Sequence, residues 1–137
     1  MRVLGVDFGL SRIGLAVTDE AAGLPTPLRT IGASGALRPD AEAIGAVARD
    51  EGADRVALGY PIGDEGEDGR MARIVRALAG HLRELGLEVT LVDESLTSVE
   101  AEAALRAVGL KSSVRRRRRD AQAAVRILER YLETQAR

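Results

Sequence analysis

The stretch Val3-Leu4-Gly5-Val6-Asp7-Phe8-Gly9-Leu10-Ser11-Arg12-Ile13-Gly14-Leu15-Ala16-Val17 decides the architecture. Its first four residues are apolar and β-prone, and they lead into a carboxylate. Arg2 to Asp7 reads as a buried strand. Arg12 to Thr18 alternates and reads as a second strand, joined to the first by a short glycine-bearing turn. Such a hairpin delivers Asp7 to the rim of a sheet.

Working outward, Pro25 to Ile31 reads as a third strand, placed at an edge by Pro25 and Pro27. Ala33 to Pro39 is loop. A helix begins at Asp40, carries Ala43, Ile44, Val47 and Ala48 on one face, and ends at Gly52. Arg55 to Tyr60 is a strand that Pro61 stops. Ile62 to Gly69 reads as a mobile acidic loop. Met71 to Leu85 is a helix with Ile74, Val75, Leu78, Leu82 and Leu85 along one side. Glu88 to Val92 is the last strand, and Thr97 to Val108 a further helix. Gly109 to Arg119 reads as a basic, flexible segment. Asp120 to Thr134 is the closing helix, with Ala124, Ile127, Leu128 and Tyr131 facing inward.

The resulting order, βββαβαβαα, predicts an α/β fold. Tight early turns give an antiparallel meander, and the later βαβ alternation gives parallel strands with right-handed crossovers. The expected product is one mixed five-stranded sheet, three antiparallel strands and then parallel ones, flanked by helices. Ligands in open α/β sheets gather at the carboxyl ends of strands. Asp7 and Glu94 both belong to that edge.

The chain's 137 residues fit a single domain, 1–137, large enough to bury a core unaided. Only 2% of residues are aromatic, so Leu, Val, Ile and Ala must build that core. Cysteine is absent, which excludes disulfides, zinc–thiolate sites and thiol catalysis. No apolar run reaches membrane-spanning length and no signal-peptide pattern opens the chain, so a cytoplasmic protein without membrane contact is expected. The net charge of −1 conceals a strong local bias: Arg115, Arg116, Arg117, Arg118 and Arg119 are consecutive.

Glu94 and Asp120 lie beside junctions like that of Asp7. Three carboxylates from separate elements, brought to one point, suit a divalent cation with oxygen ligands, Mg2+ or Mn2+. Two such ions about 3.5–4 Å apart generate hydroxide and stabilise the leaving oxygen of a phosphodiester. In that arrangement Asp7 bridges, Glu94 holds one ion and Asp120 the other. Each acid also has a plainer reading. Asp7 could be only a turn former before Gly9, and Asp120 only an acid favoured by a helix dipole. Asp93 is read as the structural member of the Asp93-Glu94 pair.

The chain resembles the YqgF (RuvX) family, a small branch of the RNase H-like superfamily related to the RuvC junction resolvase. The resemblance spans nearly the whole sequence. It rests on Asp7-Phe8-Gly9-Leu10-Ser11-Arg12-Ile13-Gly14, on Gly59-Tyr60-Pro61, on Asp93-Glu94-Ser95-Leu96-Thr97-Ser98, and on Asp120-Ala121-Gln122-Ala123-Ala124 with Ile127-Leu128 and Tyr131-Leu132. It implies an RNase H-like nuclease with Asp7, Glu94 and Asp120 as its metal-binding acids. It also implies in-line attack by water that leaves a 5′-phosphate and a 3′-hydroxyl. The implied substrate is the 5′ region of the small-subunit ribosomal RNA precursor, with branched DNA as the alternative.

Three positions depart from the family pattern. Ser95 stands where an arginine usually follows the Asp-Glu pair, a loss that either weakens substrate binding or shifts phosphate contact to Arg12. Tyr60 replaces a leucine and offers a ring to stack on a base. The segment Ile62 to Gly69 is more acidic than usual.

Arg115 to Arg119 reads as a phosphate-binding run, against the alternative of a solvated linker. Thr97 either caps its helix or donates to a phosphate. His81, the single histidine, lies away from every acid motif and reads as a surface or boundary residue.

Three competing functions remain open on the sequence. A junction resolvase needs two active sites and therefore a homodimer. A catalytically silent nucleic-acid-binding protein is motivated by Ser95 and the acidic segment. An actin-like ATPase shares the opening strand, Asp-x-Gly turn and strand, but needs two lobes.

Overall fold

A computed structural model describes residues 2–21, 23–61, 69–93 and 112–135, with the backbone alone for 112–119. Five strands form one sheet: β1 (Arg2–Phe8), β2 (Arg12–Asp19), β3 (Thr26–Gly32), β4 (Ala53–Tyr60) and β5 (Glu88–Asp93). Among the described residues three helices flank it: α1 (Leu37–Asp50), α2 (Arg70–Glu84) and α3 (Ser112–Gln135). The strand order is β3-β2-β1-β4-β5. The pairs β1–β2 and β2–β3 are antiparallel, whereas β1–β4 and β4–β5 are parallel. This is the mixed sheet that the meander followed by βαβ alternation predicts. The helix expected over Thr97 to Val108, and the loop over Ile62 to Gly69 except Gly69 itself, lie outside the described residues.

Strand β1 is central and covered on both faces, which is why its sequence is an unbroken apolar run rather than an alternating one. Leu4, Val6 and Phe8 join Ile13, Leu15, Val56 and Leu58 under α1 and α2. On the opposite face Val3, Ala16, Ala57 and Val92 pack with Ala124, Ile127, Leu128 and Tyr131 of α3. The four inward positions read from the last helix therefore all enter the core.

Small residues let α3 lie close to the sheet. A methyl group on Gly5 would stand 2.6 Å from Cγ of Leu128 and 2.8 Å from the Ala124 carbonyl oxygen. One turn earlier, Gly14 receives Asp120 in the same way. Near the other end of the helix, the Arg130 guanidinium donates to the Asp93 carbonyl at 2.8 Å. The helix thus crosses obliquely, from β2 over β1 to β5, as it proceeds.

Several boundaries differ from the sequence reading. Helix α1 starts at Leu37, not Asp40. Asp40 is buried, and its Oδ1 accepts the Ser34 N–H at 2.8 Å, so the acid closes the entry turn from inside the helix. Of the four apolar α1 positions, Ile44, Val47 and Ala48 are buried; Ala43 is exposed and Ala41 takes the inward place. Helix α2 ends before Leu85, which is 45% exposed.

The largest difference lies in α3. The segment expected to be flexible is helical from Ser112 onward, so Asp120 is not at a helix start but well inside one. Arginine is among the better helix formers, and no Gly or Pro interrupts Ser112 to Gln135. The helix therefore propagates back from its packed half through the charge run.

Candidate active site

The site forms where the β1–β2 hairpin meets α3. The turn is tight: the Gly9 N–H donates to the Arg12 carbonyl at 2.9 Å. A Cβ on Gly9 would lie 2.8 Å from that same oxygen, so the turn requires a residue without a side chain there. The Ala33 N–H donates to the Ser11 carbonyl at 3.0 Å and ties the turn to the end of β3.

Asp7 is paired with Gly14 across the hairpin. Gly14 in turn lies under Asp120, whose carbonyl oxygen would be 2.1 Å from an added Cβ. Two acids separated by more than a hundred residues of sequence are thus brought to one place by a single glycine between them. Both line an open cleft of about 310 Å³, together with Gly9, Leu10, Ser11, Arg12 and Met71.

Asp120 carries a strong partner. Its Oδ2 accepts from Nε of Arg12 at 2.6 Å, with the side chains 14% and 36% exposed respectively. A charge-assisted contact of this length belongs to the tighter class of hydrogen bonds. The reading of Asp120 as an acid placed only for a helix dipole is set aside, because that effect fades beyond the first turn. Carboxylate oxygens in an open, polar cleft are the donors that hard divalent cations take. Among the described residues no group of three His, Cys, Asp or Glu side chains comes together. Glu94 and Thr97 lie outside those residues.

Tyr60 is placed differently from its expected role. Its side chain belongs to the core under α1 and α2 and is only 9% exposed. The Arg76 guanidinium lies 5.8 Å from the ring centroid and donates to the phenolic oxygen. The expectation that Tyr60 stacks on a base is therefore corrected: β4 turns this position toward the helices, and the side chain is buried in the core. Asp93 faces Arg130, with 3.7 Å between Oδ2 and Nη1. His81 is half-buried in the seam between α1 and α2, near Arg38, Glu42 and Glu84, far along the fold from the acids. Arg115 to Arg119 occupy the helical turns immediately before Asp120.

Leu10, Ser11 and Met71 also line the cleft. The first two had a sequence signal, since they form the turn between two strands beside an acid. Met71 had none; only the docking of α2 brings its first turn here.

Comparison with known proteins agrees with this fold. The family model described as "RuvX: Holliday junction resolvase" matches residues 1–134. A relative from Anaeromyxobacter sp. (strain K), named "Putative pre-16S rRNA nuclease", is 43% identical over 140 residues, covering 99% of each chain. A relative of the same name from Chloroflexus aurantiacus is 39% identical over 132 residues, covering 96% of this chain and 86% of its own. Among solved structures, T. thermophilus RuvC in complex with a Holliday junction substrate superposes with a TM-score of 0.62 at 16% identity, covering 99% of this chain and 96% of its own. The Fowlpox virus resolvase, in complex with Holliday junction DNA, gives 0.60 at 11% identity, with both chains covered completely. At those identities the structural likeness establishes the RuvC-like fold, while the sequence match over nearly the full length establishes the lineage: the chain belongs to the RuvX family.

Proposed function

We propose that this protein is a metal-dependent nuclease that trims the precursor of small-subunit ribosomal RNA. The observation that carries the reading is the convergence of Asp7 and Asp120 on one cleft beside Arg12. The names of its relatives support RNA as the substrate.

Asp7 and Asp120, with Glu94 as the third acid, would hold Mg2+ or Mn2+; the hairpin and α3 already fix Asp7 and Asp120 on either side of Gly14.

 Ions bound there would supply Lewis acidity, to activate the attacking water and to ease departure of the leaving oxygen. The chain's own residues do the rest. Asp7 and Asp120 direct their carboxylates into the cleft from rigid elements, which keeps the reacting geometry fixed. Arg12 offers a guanidinium to the phosphate at the cleft wall. The arginine-rich turns of α3 lie next in sequence to Asp120 and bind the flanking backbone by charge, independent of base identity.

The deciding experiment is cleavage of labelled precursor RNA and of a four-way DNA junction, with magnesium or manganese, by wild type and Asp7→Asn. Metal-dependent cutting of the RNA that disappears in the variant supports the reading. Preferential cutting of the junction by a dimer moves the substrate to branched DNA, which the resemblance to junction-bound folds motivates. Binding without cutting of either substrate leaves a nucleic-acid-binding protein.

A further inference from the structure

Arg12 faces two claims on one guanidinium. Its Nε holds Oδ2 of Asp120 at 2.6 Å, and among the described residues this is its one ion pair. Its backbone is pinned by the Gly9 hydrogen bond, yet its side chain is 36% exposed and borders the open cleft. Asp120 is the more enclosed partner, at 14%, and its backbone is fixed against Gly14. If a cation arrives at Asp120, the carboxylate stays and the arginine is the group able to move. A divalent ion and a guanidinium crowded on one carboxylate repel each other, and a phosphate in the cleft gives the displaced guanidinium a new, bidentate partner.

We propose that Arg12 is an internal counter-ion of Asp120, exchanged for a divalent cation as the guanidinium passes to a substrate phosphate. The exchange makes Arg12 a positioning residue that couples cation and nucleic acid: each favours binding of the other, by reciprocal linkage. This rests on the reading of Asp120 as a metal-binding acid. The hydrogen bond is short, but solvent reaches the pair from the Arg12 side and screens its net strength, so it restrains Asp120 without blocking the site.

The coupling is read without turnover. Mn2+ affinity is measured by the electron paramagnetic resonance of free Mn2+, with no nucleic acid present, for wild type, Arg12→Gln, Arg12→Lys and Asp120→Asn. Affinity for labelled RNA is measured separately in Ca2+. Removing the counter-ion should tighten Mn2+ binding by about one and a half to fivefold in Arg12→Gln, while RNA affinity in Ca2+ falls. Arg12→Lys, which keeps the charge, should return Mn2+ affinity toward wild type. A purely structural Arg12 would loosen both ligands together, so an unchanged or weakened Mn2+ affinity in Arg12→Gln overturns the exchange. In that case loss of Mn2+ binding by Asp120→Asn still upholds the metal site. Undiminished Mn2+ binding by Asp120→Asn overturns the metal site and the exchange with it.

Discussion

Gly14 and Asp120 are in backbone contact: a methyl group on Gly14 would stand 2.1 Å from the Asp120 carbonyl oxygen and 2.4 Å from its carbonyl carbon. Neither atom can swing aside as a side chain would. Gly14→Ala must therefore lift α3 from β2, and with it one acid of the cleft. Overpacking of this kind costs about 1–3 kcal/mol. Denaturant unfolding should show that loss, and nuclease activity should fall further than stability does, because Asp120 moves away from Asp7. A variant with wild-type stability and activity would show that the helix does not rest on this glycine.

Tyr60 gives a test of core against interface. Its ring is packed under the helices and its hydroxyl is engaged by Arg76. Tyr60→Phe should lose about 1 kcal/mol with the hydrogen bond, and Tyr60→Ala about 3–5 kcal/mol with the ring. RNA affinity of folded Tyr60→Phe should equal that of wild type. Weaker RNA binding by the phenylalanine variant, at unchanged fold, would return the residue to the substrate surface.

Most of this architecture was legible because apolar pattern and glycine placement agree. The run Val3-Leu4-Gly5-Val6 marked a buried strand, and the hairpin followed from the glycine-bearing turn at Gly9. Helix limits were less legible. The charge run Arg115 to Arg119 looks like a linker by composition, yet arginine favours helix and the packed half of α3 extends through it. The role of Tyr60 failed for a different reason. Strand periodicity says that neighbouring residues face opposite ways, but not that the Tyr60 ring meets Arg76 of α2. The meeting of Asp7 and Asp120 depends on a tertiary contact at Gly14, which a single sequence cannot display.

Asp40 is a stability determinant away from the site. It is 3% exposed, and its Oδ1 accepts the Ser34 N–H at 2.8 Å. Asp40→Ala leaves that donor without its partner at the entrance to α1, at a cost of about 1–3 kcal/mol. Asp40→Asn retains an acceptor oxygen and should recover part of the loss. Thermal unfolding of the two variants distinguishes these outcomes, and equal stability of both with wild type would show that the contact contributes nothing.

The arginine run should separate affinity from chemistry. Replacing Arg115 to Arg119 with alanine keeps a strong helix former at every position, so circular dichroism should show helical content undiminished. If the run contacts phosphates, RNA affinity falls and the slope of log affinity against log salt flattens by about 0.7 for each single-strand contact removed. The run lies immediately before Asp120 without including it, so Asp7 and Asp120 remain in place. Cleavage at saturating RNA should then persist while the concentration needed for half-maximal rate rises. An unchanged salt slope would identify the run as a solvated helical segment and assign substrate binding to Arg12 and the cleft.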